Sequence, residues 1–164
     1  MNRRFFERNV RFFNEHTAAR YVLHFVYKVL PMAMFVAYPL LLLYLLLYRQ
    51  EQFLRAVLVP LGVFAGVTLL RVLVNETRPY ERYGQPSVFH KTTKGKSFPS
   101  RHTACAFIIG MTFLFIHVPS GIAALATALL IAASRLLAGA HYVHDVAAGM
   151  AISVLCGVLF LFIL

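Results

Sequence analysis

The chain has 164 residues and a mass of 18.5 kDa; 60% of it is hydrophobic, 13% is charged, and its mean hydropathy is +0.70. Soluble domains run near half apolar and about a quarter charged. The composition therefore excludes disorder, collagen, coiled coil and a soluble nucleic-acid binder, because too little polar surface exists to coat a globule. A single integral-membrane domain over 1–164 is expected, and a net charge of +10 beside a bilayer points to lipid headgroups or phosphates as partners.

The stretch 1–20 sets Phe5, Phe6, Phe12 and Phe13 among Arg3, Arg4, Arg8 and Arg11. Wrapped as a helix, it sorts imperfectly into an aromatic and a basic side, the pattern of an interfacial helix on anionic lipid. Its charges leave no apolar run before a cleavage site, so no secretory leader is expected. Five apolar runs follow, at 23–48, 56–74, 103–118, 122–138 and 146–164. A spanning helix needs about 20 residues at roughly 1.5 Å each. The first, second and fifth runs meet that directly. The third meets it if its helix starts at Ser100, the fourth if its helix extends through Pro119. Links at 49–55 and 119–121 are short and predict antiparallel neighbours. The expected fold is an all-α polytopic bundle of about five transmembrane helices. Cys105 and Cys156 lie in apolar runs and are expected as buried thiols, not a disulfide.

Charge at a membrane edge is costly and points to function. It gathers in three places. Arg71 and Arg78 end the second run, seven residues apart and so on one helix face, with Pro79 expected to stop the helix at Arg78. Ser100, Arg101 and His102 open the third, where Ser100 as N-cap and free N–H groups at a helix start suit an anion. Arg135 ends the fourth, and His141 and Asp145 precede the fifth. If 141–145 is helical, these two share a face at i, i+4. A carboxylate on one imidazole nitrogen makes the other a nucleophile or base. His144 does not share that face and reads as interfacial. Taken singly, these are snorkelling arginines, an ordinary cap and a polar turn. Counting helices puts all three on one side of the membrane, which favours a common site.

These residues stand in RVLVNETRP, PSRH and SRLLAGAHYVHD. Together they resemble the tripartite signature KxxxxxxRP, PSGH and SRxxxxxHxxxD of the type 2 phosphatidic acid phosphatases, a family related to the vanadium haloperoxidases. Order and spacing agree over 71–145. Arg71 stands where the family usually has Lys, which keeps the charge and changes its geometry. Arg101 stands where it usually has Gly, and either adds an anion contact or reaches for the rest of a headgroup. The resemblance implies that His141 attacks phosphorus and becomes a phosphohistidine while Asp145 orients it. It implies that His102 protonates the leaving oxygen and then activates water, and that Arg71, Arg78, Ser100 and Arg135 hold the phosphoryl oxygens. Residues 79–99 are then an active-site loop.

The expected activity is hydrolysis of a membrane lipid phosphomonoester or pyrophosphate, of the phosphatidate, phosphatidylglycerol phosphate or undecaprenyl pyrophosphate class. No cofactor and no metal are expected: Glu76, Glu81 and Asp145 are too few and wrongly spaced for a two-metal site. The alternative is a non-catalytic lipid-binding or transport protein with a relict anion site, against which the His102, His141 and Asp145 set argues. The basic residues crowd the active side, so the positive-inside rule alone favours the cytoplasm. The resemblance implies the extracytoplasmic face of the cell membrane, and that is the expectation taken here.

Overall fold

The protein is described by a computed structural model covering residues 2–164. Among these residues every regular element is helical. Helix α1 spans Arg3–Glu15, α2 Thr17–His24, α3 Leu30–Tyr48, α4 Gln50–Val74, α5 Pro79–Arg82, α6 Arg101–Ile116, α7 Val118–Leu137 and α8 Val143–Gly157. A π-helical turn, Phe25–Val29, fuses α2 and α3, so Thr17–Tyr48 is one apolar rod; a second, Val158–Ile163, prolongs α8. Among the described residues four segments are long and apolar enough to cross a bilayer: Thr17–Tyr48, Gln50–Arg82, whose apolar length is α4, Val118–Leu137 and Val143–Ile163.

The third apolar run gives the shorter helix α6, whose 16 residues reach about 24 Å. It is the axis of the bundle. Nine of the ten positions from Thr103 to Thr112 are buried, and α6 packs on α7, α8, α4 and α3. Lipid supplies no hydrophobic drive between helices, so close approach rests on small residues. A Cβ on Gly121 of α7 would fall 2.1 Å from the Leu114 backbone of α6. One on Gly149 of α8 would fall 2.7 Å from the Ser100 carbonyl oxygen. Ser153 of α8 adds a hydrogen bond to the Ala104 carbonyl of α6 at 2.8 Å.

Several boundaries differ from the sequence-based expectations. The link between the first two spans is Arg49 alone, because Gln50 already starts α4. The link between α6 and α7 is His117, since Pro119 sits in the first turn of α7, where a missing N–H costs nothing. Helix α4 stops at Val74 rather than Arg78: Asn75 turns left-handed at φ 44° and ψ 40°, a conformation that Asn tolerates. Arg78 is instead extended and begins α5 with Pro79. The two arginines thus do not share a helix face.

Helix α1 ends at Glu15, and residue 17 already belongs to the first rod. Its aromatic side is not wholly given to lipid. Phe6 is fully buried, its ring 5.4 Å from that of Tyr83 and against Gly139. Phe13 packs with Leu23, Val88 and Ala138. The exposed side carries Arg3, Arg4, Arg8 and Arg11. So α1 braces the loops at the site end of the bundle, and the N-terminus shares that end. Cys105 and Cys156 are half-buried and free.

Candidate active site

The segments that carry the three charged places converge at one end of the bundle. Residues 79–99 are tied down by their backbone. The Ser97 N–H donates to the Glu76 carbonyl at 2.9 Å and the Val88 N–H to the Ala138 carbonyl at 3.2 Å. The Gly95 N–H donates to Glu81 Oε2 at 2.9 Å. Below this loop lies a cavity of about 310 Å³, lined by Arg71, Arg78, Lys91, Lys96, Arg101 and Arg135 with His102 and His141. No carboxylate lines it.

Three of the four arginines, Arg71, Arg78 and Arg135, are held by carbonyl oxygens, which fix their direction and leave their charge uncompensated. Arg71 donates to the Pro99 carbonyl at 2.7 Å and to that of Ser97 at 3.3 Å. Arg78 donates to the Gly95 carbonyl at 3.0 Å and to that of Ala140 at 3.4 Å. Arg135 donates to the Tyr27 carbonyl at 2.9 Å, with its guanidinium 3.9 Å from the centre of the Tyr27 ring. Its Nε is buried without a partner. Among the described residues none of these arginines is ion-paired with a carboxylate. Buried charge of one sign is costly unless an anion joins it, so the cavity is built for an anion with several oxygens.

His141 and Asp145 do pair, though not as helix neighbours. Helix α8 starts at Val143 with Tyr142 as N-cap, so His141 precedes it and Asp145 sits in its first turn. His141 Nδ1 lies 3.2 Å from Asp145 Oδ2. The same oxygen accepts the Tyr142 N–H at 2.9 Å and the Ser97 hydroxyl at 2.5 Å. With Nδ1 on the carboxylate, Nε2 carries the free lone pair. Burial pushes the His141 imidazole down to about 4, against the opposing pull of its hydrogen bond to Asp145. At neutral pH it is uncharged, the state a nucleophile requires.

Of the expected phosphate contacts, Arg71, Arg78, Arg101 and Arg135 line the cavity and Ser100 does not. Ser100 is fully buried, its hydroxyl accepts from Thr103 Oγ1 at 3.0 Å, and its N–H donates to the Asp145 carbonyl at 2.9 Å. It is the N-cap by backbone position, without a side-chain capping bond, and it splices the start of α6 to the start of α8. Sequence reasoning missed Tyr27, Thr68, Thr93 and Ser97. Only tertiary structure brings Tyr27 beneath Arg135 and Ser97 onto Asp145. His144, read as merely interfacial, in fact lies 3.1 Å from Asp145 Oδ1 and 3.0 Å from Glu76 Oε1.

A family model described as the PAP2 superfamily matches residues 54–164. Among solved structures, the crystal structure of Aquifex aeolicus LpxE is 25% identical, with 93% of this chain and 92% of that one covered and a TM-score of 0.73. That of the first transmembrane PAP2-type phosphatidylglycerolphosphate phosphatase from Bacillus subtilis is 22% identical, covers 95% of this chain and 90% of its own, and has a TM-score of 0.48. No curated protein matches the chain. The matched region holds all three charged motifs and every arginine and histidine of the cavity, and the chain belongs to the PAP2 superfamily.

Proposed function

We propose that this membrane lipid phosphatase works through His141 as nucleophile in the cationic cavity. The observation that carries the reading is the cavity's lining: six cations and two histidines with no carboxylate. Phosphoryl transfer rests mainly on positioning and charge stabilisation. Here arginine and lysine supply the charge that metal ions supply elsewhere, and no carboxylate is available to hold a metal against the phosphate.

The His141 Nε2 lone pair attacks phosphorus and forms an N–P bond. The P–O bond to the leaving group breaks with its electron pair on oxygen. Burial and Arg135 push the His102 imidazole down to about 3, so it is neutral in the free enzyme and relays to that oxygen the proton that a monoanionic phosphate brings. Asp145 balances the positive charge on the imidazole. In the second half, His102 takes a proton from water, the resulting hydroxide attacks phosphorus, and the N–P bond breaks to release inorganic phosphate and neutral His141. Arg71, Arg78 and Arg135 hold the phosphoryl oxygens in both steps.

The substrate is an amphiphile. A second, apolar groove of about 540 Å³ shares Arg101 and His102 with the cavity and runs between α3, α4 and α6 past Met32, Phe35, Phe64 and Ile109. It opens where lipid surrounds the bundle, so a tail in the groove brings a phosphate to His141. Phosphatidate, phosphatidylglycerol phosphate and undecaprenyl pyrophosphate all have this form. We assign the site to the extracytoplasmic face of the cell membrane. Lys91, Lys96 and Arg101 line the cavity, so their charge is accounted for by phosphate and need not report orientation.

The test is to trap the intermediate. Rapid acid-free quenching with a radiolabelled lipid phosphate, in detergent and EDTA, should leave label on the protein that is lost in acid and stable in alkali. His141→Ala should abolish it and Asp145→Asn should slow its formation. A base-labile label that disappears with Ser100→Ala would make the serine the nucleophile. Cys105→Phe narrows the groove and should raise KM for a long-chain lipid phosphate while sparing a water-soluble phosphate ester.

A further inference from the structure

Asp145 meets a second imidazole. His144 Nε2 lies 3.1 Å from Asp145 Oδ1, the oxygen turned away from His141. The same nitrogen is 3.0 and 3.1 Å from the two carboxylate oxygens of Glu76. Glu76 follows the left-handed Asn75 at the end of α4, and its carbonyl accepts the Ser97 N–H. Ser97 in turn donates its hydroxyl to Asp145 Oδ2. Glu76, His144, Asp145 and Ser97 therefore close a ring around the carboxylate, drawn from the end of α4, the segment before α6 and the first turn of α8.

The ring explains a group that would otherwise be costly. Asp145 is fully buried, and its Oδ1 has no well-aligned hydrogen bond; the close contact to His144 is the interaction within its reach. A buried carboxylate oxygen left without a donor is strongly destabilising. The separations around Nε2 lie in the N–H···O range; Glu76 takes the aligned hydrogen bonds, and Asp145 Oδ1 has the charge contact alone. Nε2 has one proton to share between Glu76 and Asp145. Glu76 draws it outward, so Asp145 keeps most of its negative charge for His141. Tyr142, stacked at 5.2 Å and 10°, and Phe98 at 5.9 Å keep the His144 ring in plane.

We infer that His144, held by Glu76, is a positioning residue that sets the orientation and charge of Asp145 through its second oxygen. The inference rests on the reading of His141 as nucleophile. Its signature is a loss in the chemical step with binding preserved, recovered by a side chain that restores only the N–H.

The experiment uses the full chain in detergent with a lipid phosphate and the variants His144→Ala, His144→Gln, Glu76→Gln and His141→Ala, each checked for thermal stability and monodispersity. His144→Ala should lower kcat about tenfold, the scale of leaving the buried Asp145 Oδ1 without its one polar contact, with KM within about twofold. His144→Gln, whose amide N–H stands near the place of Nε2, should recover kcat to within about threefold of wild type. Glu76→Gln should fall between them and add nothing to His144→Ala, as members of one network do. If His144→Ala fails to fold, the Glu76→Gln and His144→Gln pair decides: a kcat loss in the first without the second supports the inference. Wild-type kcat in His144→Ala beside an inactive His141→Ala overturns it alone, as does a His144→Gln no better than alanine. Retained turnover in His141→Ala overturns the nucleophile assignment and this inference with it.

Discussion

Ser97 and Asp145, 48 residues apart, share a hydrogen bond of 2.5 Å, the shortest contact that the carboxylate makes. Together with the Tyr142 N–H it holds Oδ2 within reach of His141 Nδ1. A hydrogen bond to a charged group contributes about 1.5–3 kcal/mol. Ser97→Ala should therefore lower kcat by at least about tenfold and leave KM nearly unchanged. Steady-state kinetics on a lipid phosphate would check it, and an unchanged kcat would mean that the Tyr142 N–H alone orients the carboxylate.

The acid side of the pH–rate profile should lie far below the usual histidine range. The reacting form of His141 is neutral, so protonation inactivates it. Burial lowers its pKa to about 4, which moves the loss of kcat/KM from near pH 6.5 to near pH 4. The profile is read after correction for the substrate's own ionisation near pH 6. Stability should follow the same sign. The unfolded chain takes up this proton first, so stability declines as pH falls from about 6.5 toward 4. A limb at pH 6.5 would show that the imidazole is not desolvated in the free enzyme.

Arg101 lines both the cavity and the apolar groove, and its guanidinium lies 5.7 Å from the centre of the Phe64 ring. Arg101→Gly restores the residue usual in the signature. It should raise KM for a lipid phosphate with a second anionic group by about tenfold, the scale of one charge-assisted hydrogen bond. Turnover of a small phosphate ester should stay within about threefold. A collapse on every substrate would place Arg101 on the transferring phosphoryl group itself.

Helix α1 packs at the cavity end, which sets Asn2 and Gln85 at one end of the bundle and Gln50 at the other; the proposed extracytoplasmic site is tested by labelling the two ends. In a chain with Cys105 and Cys156 replaced by Ala, a cysteine at position 2 or 85 should react with an impermeant reagent outside intact cells. A cysteine at position 50 should be shielded. The reverse pattern would put the site in the cytoplasm.

The helices and the cavity arginines were legible in the sequence because membrane spans are long apolar runs and their charged ends are rare. Arg71, Arg78, Arg101, Arg135, His102 and His141 all reach one cavity, and the motif spacing named them. Local geometry was less legible. The i, i+4 spacing named the His141–Asp145 pair for the wrong reason, since α8 begins after His141 and the bond crosses its N-terminus. Arg78 was placed on α4 because nothing in the apolar pattern marks Asn75 as the left-handed stop. Phe6 looked like a lipid anchor until Gly139 and Tyr83 gave it a protein surface. Ser97 and His144 were missed for the same reason: their partners lie 48 and 68 residues away.

The lateral groove changes what concentration means for this enzyme. A substrate that arrives along α3 and α4 never leaves the plane of the lipid, so the encounter rate is set by molecules per unit area, not per unit volume. Diluting the lipid phosphate with inert detergent at constant bulk amount should slow turnover, while adding water at constant surface composition should not. Two membranes with the same total substrate would then be served at different rates if one spreads it over more area.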